Sequence, residues 1–507
     1  MRCMTESEMY EVDRKSAEDY LLPTTVLMEN AGRALADGLK SKLSKEMRIC
    51  VVTGPGNNGG DGYVLARTLL NEGYAVEVLE TVTEAEMSTD EQLYRQIYLK
   101  YQGTLTKVDD VDVAAYLVDK DIIVDALFGI GLTGRVRAPF DQWIETINQS
   151  GKCVISLDVP SGVSSVAADD LLAIRANHTF IIEAPKPSLF IEATRPFYGE
   201  VTVVSIGLPK KELLQSSLTV WQQEDVKQTL QKREPFSHKG NYVHLLVIGG
   251  SAFMPGSVKL TSTGAYRTGA GLVTVMTSEE ALPMLANGLN EVMYQPLEPE
   301  ALTDEALAKY DVIACGMGLS ETAAGRALLS RVLETKKPLV IDASGLNLLS
   351  EDLSRLERRQ ALTVLTPHPK EMARLSGLSV AAIKRQPFRV VADFAKAHQV
   401  YLVLKGAMTL SASPSGEINI NTTGNSGLSK GGSGDLLTGM VASRVLSDDT
   451  PLAGISNAVF LHGLAADLAV SDRHSSYDLT ATEVSDYLGR SFQAVLRKNI
   501  QASINIK

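Results

Sequence analysis

The sequence predicts an α/β protein of two successive domains, each with a mostly parallel sheet covered by helices. Three observations carry this. Short apolar runs alternate with polar or helix-patterned segments along the whole chain, the pattern of strands joined by crossover helices. A glycine-rich turn follows an apolar run early, TGPGNNGGDG at 53–62, and a second, GNSGLSKGGSGD at 424–435, opens a helix-patterned segment late. The polar stretch QEDVKQTLQKREPFSHKGNY, 223–242, separates two such series in a chain of 507 residues. That length exceeds one core, so two domains of roughly 200 to 300 residues are expected, at 1–222 and 223–507.

Residues 24–44 carry apolar residues at helical spacing. RICVV (48–52) reads as a buried strand and YVLARTLLNEGY (63–74) as a helix. The strands AVEVLE (75–80), DIIVDAL (121–127), KCVISLDVP (152–160), HTFIIEA (178–184) and EVTVVSIG (200–207) follow. The second series runs VHLLVIGG (243–250), LVTVMT (272–277), DVIACGMG (311–318), PLVIDAS (338–344), LTVLTPHP (362–369) and VYLVLKG (400–406). It ends in a helix at LLTGMVASRVL (436–446).

Composition excludes several classes. With 44% hydrophobic and 21% charged residues the chain is globular, and a net charge of −11 argues against a nonspecific nucleic-acid binder. Cys3, Cys50, Cys153 and Cys315 are far apart with no CxxC pair, so neither a zinc site nor a disulfide framework is expected; Cys50 and Cys153 read as core. The start, MRCMTESEMYEVDRK, has no apolar signal region. No run of about 18 apolar residues occurs, so no membrane span is expected. The expectation is a soluble cytoplasmic protein.

The first glycine-rich turn fits G-x-G-x-x-G at Gly54, Gly56 and Gly59. After a strand, that pattern brings backbone close to a phosphate at a helix N-terminus. Glu77 or Glu80 stands about 20 residues on, where a dinucleotide fold places a ribose acid. Asn57, Asn58 and Asp61 do not belong to that pattern. Their oxygens suit a cation or sugar hydroxyls, or simply their own turn. Ligands in open α/β sheets bind beyond the carboxyl ends of strands, and Asn58, Asp125 and Ser161 all fall at such ends. Convergence would make an all-oxygen site for a hard cation. Asp158, in DVPSG, is a candidate acid or base; alone, it equally suits a turn before Pro160. Gly129, Gly131 and Gly134 lie in another flexible turn, FGIGLTG.

GPGNNGGDG, DALFGIGLTG and ISLDVPSGV, in this order and continued by EAPKPSLF and VSIGLP, resemble the YjeF-type N-terminal domain of bifunctional NAD(P)H-hydrate repair enzymes. The resemblance implies a Rossmann-like three-layer domain that epimerises the R and S forms of hydrated NADH and NADPH (NADHX and NADPHX). It assigns substrate contact to Asn57, Asn58, Gly59, Gly60 and Asp61, to Gly129, Ile130, Gly131, Leu132, Thr133, Gly134 and Arg135, and to Asp158, which is also the expected catalytic residue. It assigns a potassium ion to Asn58, Asp125 and Ser161. VSSVAAD (163–169) departs from the Asp- or Asn-containing turn usual there.

The late turn lacks the G-K-[ST] ending of a P-loop. Glycine amides opening a helix form an anion site, and Asp435 in the first turn could accept a hydroxyl proton or only complement the helix dipole. SHKGNY, GGSAFMPGSV, GMGL, TPHPKEMARL, KGAMT and GNSGLSKGGSGD together resemble the ribokinase-like, ADP-dependent NAD(P)HX dehydratase domain of the same family, extending the resemblance from about residue 9 to about residue 488. It implies nucleotide contact by Lys405, Gly406, Ala407, Met408, Thr409 and Gly434. It implies contact with the hydrated cofactor by Ser257, Gly318, His368 and Asp435. His368 would otherwise be a solvated or capping histidine. Asp435 is the expected base, Gly432 and Gly434 the anion hole, and Mg2+ the ion accompanying ADP. Phosphorylation would make the hydroxyl a leaving group that the ring nitrogen expels, giving AMP, phosphate and NAD(P)H. Met317 for proline, Ser257 for alanine and DASGLNL (342–348) for DADALNL are departures. A homo-oligomer that binds neither nucleic acid nor membrane is expected. The rivals are an NAD-dependent dehydrogenase, a kinase of a small alcohol with a stable phosphorylated product, and a non-enzymatic binding protein.

Overall fold

The computed structural model describes residues 1–132, 134–165, 171–285 and 288–497. Thr133 and residues 166–169 of the VSSVAAD turn lie outside the described residues. The chain forms two compact units that divide between Ser216 and Ser217. The expected division at 222–223 falls one strand later, because Leu218–Trp221 pairs in parallel with Ile418–Asn421.

The first unit is built on a parallel sheet. Its spatial order is Thr104–Lys107, Ala75–Glu80, Arg48–Thr53, Ile122–Ala126, Cys153–Leu157, His178–Ile182 and Glu200–Val204. The chain starts at Arg48–Thr53, builds one side, then crosses to Ile122–Ala126 and builds the other. The crevice beyond the carboxyl ends of those two strands is a topological switch point, where open α/β sheets place ligands. Apolar side chains fill both faces of the sheet, which is why the strands read as continuous hydrophobic runs. Cys50 is buried, but Cys153 opens its strand before the chain enters the core and is exposed, contrary to expectation.

Helix Thr24–Leu39 buries Leu27, Ala31 and Leu35, the one-face spacing of an amphipathic helix. It packs closely on helix Asn57–Asn71: a Cβ on Gly32 would lie 2.3 Å from Val64 Cβ. An additional helix, Glu6–Glu18, begins in a capping box between Thr5 and Glu8 and buries Met9, Val12 and Ser16.

The second unit's sheet runs Leu218–Trp221, Ile418–Asn421, Thr409–Ala412, Tyr401–Leu404, Thr363–Leu365, Leu339–Ile341, Val312–Cys315, His244–Ile248, Leu272–Thr277 and Met293–Pro296. Among these described strands Thr409–Ala412 alone runs against the others. The switch point lies between His244–Ile248 and Val312–Cys315. There the Gly250 amide donates to the Met317 carbonyl at 2.8 Å. A backbone carbonyl makes this bond, so methionine in place of proline at 317 leaves it intact. Helices Pro255–Arg267 and Ser433–Arg444 cross in close contact, with no room for a side chain: a Cβ on Gly439 would lie 1.8 Å from the Thr261 carbonyl oxygen. Helix Pro451–Asp472 is long and apolar enough to cross a membrane, which the sequence reading had not anticipated. However, 78% of its most apolar window is buried within the structure, as in a core helix.

Candidate functional sites

In the first unit a cavity of about 690 Å³ opens at the switch point. Asn57, Asn58, Asp61, Gly129, Ile130, Gly131, Leu132 and Asp158 line it. Gly59, Gly60, Gly134 and Arg135 are not among its lining residues. The first two serve packing: a Cβ on Gly59 would lie 2.1 Å from the Gly54 carbonyl oxygen, and one on Gly60 would lie 2.4 Å from Met28 Sδ. Gly56 ends the turn at φ +95°, a conformation glycine adopts without strain.

Asp158 follows its strand in a left-handed conformation, φ +63°. Its Oδ1 accepts from the Ile182 amide at 3.0 Å and from the Lys186 ammonium. Lys186 is 1% exposed and also donates to the Ile182 carbonyl at 3.1 Å. Lys186 was not among the residues expected from sequence; a lysine after the strand HTFIIEA, between two prolines, was the available signal. Asp61 is buried, and desolvation together with nearby Asp158 and Asp13 pushes its carboxyl well above the usual range.

Asp125 and Ser161 meet: the Ser161 amide donates to Asp125 Oδ2 at 2.9 Å and its hydroxyl to Oδ1 at 2.5 Å, while Ser156 donates to Oδ2 at 2.7 Å. The Ser161 hydroxyl also accepts from the Phe128 amide at 2.8 Å, tying this cluster to the Gly129 turn. Asn58 borders that turn, since a Cβ on Gly129 would sit 3.4 Å from Asn58 Cβ. Asn58 Oδ1 and Nδ2 are both buried with no hydrogen-bond partner. A buried amide left unsatisfied costs about 1–3 kcal/mol, so this oxygen is suited to a ligand. With Asp125 and Ser161 it supplies an oxygen-only set that fits a hard cation.

The acids expected for a simple dinucleotide fold are engaged elsewhere. Glu80 accepts from the Tyr63 hydroxyl at 2.6 Å and pairs with Arg95; Glu77 accepts from Tyr116 at 2.7 Å and pairs with Lys120 at 2.9 Å. Glu91, also missed, supports the glycine turn by accepting from the Gly56 amide at 2.8 Å.

In the second unit Gly432, at φ +92°, precedes helix Ser433–Arg444. Asp435 stands in its first turn. Burial, then Asp342 and Glu371 against the opposing pull of Lys405, pushes its carboxyl up to about 6. Lys405 pairs with Asp342 Oδ1 at 2.6 Å and approaches Glu371 at 4.0 Å. Desolvation works against its charge but is outweighed by Asp342 and Glu371, so its pKa rises. Gly434 borders this pair: a Cβ there would lie 3.3 Å from Lys405 Nζ. Thr438 donates to the other Asp342 oxygen at 2.7 Å. Three carboxylates thus surround one ammonium, a surplus of negative charge suited to a cation arriving with nucleotide phosphates.

Gly406, Ala407 and Met408 form the turn before strand Thr409–Ala412, closed by Thr409 Oγ1 donating to the Gly406 carbonyl at 3.1 Å. The Lys405 amide donates to the Pro367 carbonyl at 2.9 Å, joining this turn to the His368 segment. His368 caps helix Pro369–Ser376: its Nδ1 accepts from the Lys370 and Glu371 amides at 3.0 and 3.2 Å. Ser257 and Gly318 meet, since a Cβ on Gly318 would lie 2.3 Å from Ser257 Oγ. Gly345 replaces the alanine of DADALNL in a tight place: its Cβ would lie 2.8 Å from Ile341 Cγ2. Asp342, Glu371 and Thr438 were not singled out as site residues from sequence; the acid closing the apolar run VID was the signal for the first.

Two family models match. One described as NAD(P)H-hydrate dehydratase covers residues 245–490, and one described as YjeF-related protein N-terminus covers 24–188. The chain is 34% identical to a bifunctional NAD(P)H-hydrate repair enzyme Nnr of Moorella thermoacetica, over 96% of each chain. It is 32% identical to the Escherichia coli protein of that name, over 94% of this chain and 91% of that one. Among solved structures, the ADP/ATP-dependent NAD(P)H-hydrate dehydratase of Bacillus subtilis, co-crystallised with ATP/Mg2+, is 34% identical with a TM-score of 0.50, covering 55% of this chain and 98% of that one. A ribokinase-like superfamily protein of Enterococcus faecalis is 27% identical, also with a TM-score of 0.50, covering 55% of this chain and 97% of that one.

Proposed function

The chain belongs to the bifunctional NAD(P)H-hydrate repair enzymes, and from that premise we propose that its two units divide the repair. The enzyme interconverts (R)- and (S)-NAD(P)HX and dehydrates the S form to NAD(P)H, with ADP giving AMP and phosphate. The first unit is the epimerase and the second the dehydratase. What supports the division most directly is that each unit carries its own lysine–carboxylate pair beyond the carboxyl ends of its own strands, Lys186–Asp158 and Lys405–Asp342.

In the epimerase site, Asn57, Asn58, Asp61, Asp158 and the turn at 129–132 hold the hydrated nicotinamide and its phosphates. Asp158 exchanges a proton with the hydroxyl beside the ring nitrogen, and Lys186 holds its carboxylate oriented. Potassium suits Asn58, Asp125 and Ser161: it would satisfy the Asn58 oxygen and fix the Gly129 turn against the strand ends.

In the dehydratase site, Asp435 takes the proton of the substrate hydroxyl as it attacks the terminal phosphate of ADP. The amides opening helix Ser433–Arg444 face the phosphate, and the 405–409 turn contacts the nucleotide. Ser257, Gly318 and His368 border the hydrated cofactor, with His368 holding the entry of its helix as a cap. Mg2+ suits the acidic surplus of Asp435, Glu371 and Asp342 when carried on phosphate oxygens, since magnesium is usually held by one or two carboxylates plus phosphates; it would supply charge neutralisation. The expected setting is cytoplasmic, as a homo-oligomer. Incubation of (S)-NADHX with ADP and Mg2+ tests the dehydratase reading: NADH and AMP should form in equal amounts, whereas a stable phosphorylated NADHX would make the unit a kinase.

A further inference from the structure

Helix Glu6–Glu18 precedes the residues matched by the N-terminal family model, 24–188, yet it forms part of the epimerase cavity. Tyr10 and Asp13 are three residues apart, on one helix face, and both line the cavity with Asp61, Asp158 and Lys186. The helix is well anchored. Met9, Val12 and Ser16 are buried, Thr5 and Glu8 form the capping box, and Lys15 pairs with Glu212 at 2.9 Å. Tyr10 reaches the substrate turn, since a Cβ on Gly131 would lie 2.8 Å from its hydroxyl.

Within this cavity the carboxyls differ in a telling way. Asp158 is occupied by Lys186 and the Ile182 amide. Asp61 is 7% exposed, and among the described residues neither its carboxyl nor that of Asp13 receives a hydrogen bond. Two carboxyls thus face a ligand cavity with no hydrogen-bond donor among the described residues, one of them on a helix with no other evident task at the site.

Building on the epimerase assignment, we infer that Asp13 is a second proton-transfer residue of this site, working with Asp158. Inversion at the hydrated carbon delivers one proton and takes one back. The C–O bond breaks as a carboxyl proton passes to the departing oxygen, and the ring nitrogen's lone pair forms the C=N bond. Water then adds to the other face of that carbon as its proton passes to a carboxylate. One water leaves and one enters, and nothing is oxidised or reduced. A single carboxylate fixed on a lysine serves one face; a second, unpaired group serves the other. Asp158, held by Lys186, takes a proton and Asp13 supplies one. Burial, relieved by Lys186 and reinforced by Asp158, pushes the Asp13 carboxyl up to about 6. The other charged or titratable groups bordering the cavity are Tyr10 and Arg14 on its own helix, Asp61 and Asp90.

The test is Asp13→Asn in the full chain, with (R)-NADHX epimerisation and (S)-NADHX dehydration followed separately. Epimerisation kcat should fall by about 10²-fold or more, the range of general acid–base catalysis, with KM within about threefold of wild type. Dehydration should be unchanged. The wild-type epimerisation rate should fall as pH rises through about 6, and this limb should be absent in the variant. Asp13→Glu should restore part of the rate and the limb, and it carries the test if Asp13→Asn does not fold. A kcat within threefold of wild type with an unchanged pH profile, or a rise in KM alone, would overturn the role. A wild-type enzyme that does not epimerise at all would instead overturn the assignment of the unit, and this inference with it.

Discussion

Lys186, 1% exposed, is buried against Asp158, whose left-handed backbone at φ +63° turns its carboxylate to accept from both the lysine and the Ile182 amide. This pair sits where the strand ends meet the ligand cavity. Replacing Lys186 by an apolar side chain would leave the Asp158 carboxylate buried without its partner, which is costly.

Lys186→Met should therefore destabilise the first unit by about 3–5 kcal/mol, the usual cost of removing one partner of a buried pair, and abolish epimerisation. Urea unfolding of the full chain, followed by a probe in the first unit, measures this. A loss under about 1 kcal/mol would mean that the pair is solvated.

The two activities should separate. Asp158→Asn keeps an oxygen to accept from Ile182 and Lys186 but loses the proton acceptor, so epimerisation should fall by about 10²-fold or more. ADP-dependent dehydration of (S)-NADHX should persist at the wild-type rate, because Asp158 belongs to the unit ending at Ser216. Equal loss of both activities in a folded variant contradicts the division.

Much of this arrangement was legible in the sequence, and the exceptions have physical causes. The buried parallel strands stood out as apolar runs, and Asp125 and Ser161 were expected to converge because both end such runs; they are hydrogen-bonded. Thr104–Lys107 escaped notice because its side chains are only half-buried or exposed. Leu218–Trp221 and Ile418–Asn421 are too short to show a period. Lys186, Glu91 and Asp342 were hidden because the partners that tie them to the sites, Asp158, Gly56 and Lys405, lie at least 28 residues away, and spacing within a segment reports only local neighbours.

The unsatisfied Asn58 amide predicts a cation. Crystals grown with thallium(I) or rubidium should show anomalous density touching Asn58, Asp125 and Ser161, with contacts longer than about 2.5 Å, beyond typical calcium distances. The first unit should also unfold at a higher temperature in potassium than in tetramethylammonium chloride. Equal stability in the two salts and no density would refute the site.

Asp435→Asn should slow dehydration by about 10²- to 10⁴-fold and leave epimerisation untouched. A base must be ionised, and this carboxyl is raised to about 6, so the wild-type dehydration rate should fall as pH drops through about 6 and level off above it. A folded pKa above the unfolded one means that folding favours the protonated form, so ionised Asp435 opposes folding above that pH. The variant should accordingly be no less stable than wild type at pH 7. A rate within threefold of wild type, with a loss of about 0.3–1 kcal/mol, would reduce Asp435 to a helix-dipole residue.

Gly318 has φ +68° and presses on Ser257. Gly318→Ala should strain the backbone by about 1–2 kcal/mol and displace Ser257, raising KM for (S)-NADHX while leaving the ADP KM within about twofold. Steady-state kinetics with each substrate varied in turn checks this. An unchanged KM for NADHX would place the pair away from the bound cofactor.

The most direct test of two activities in one chain is incubation of mixed (R)- and (S)-NADHX with ADP, Mg2+ and potassium, following recovery of the reduced-cofactor absorbance beside AMP. Asp158→Asn is run in parallel. Wild type should recover both epimers completely with one AMP per NADH, and the variant should recover only the S fraction quickly, the R fraction following no faster than its uncatalysed epimerisation. Recovery by the variant of both epimers at the wild-type rate, or a wild-type reaction that stops at the S fraction, would contradict this.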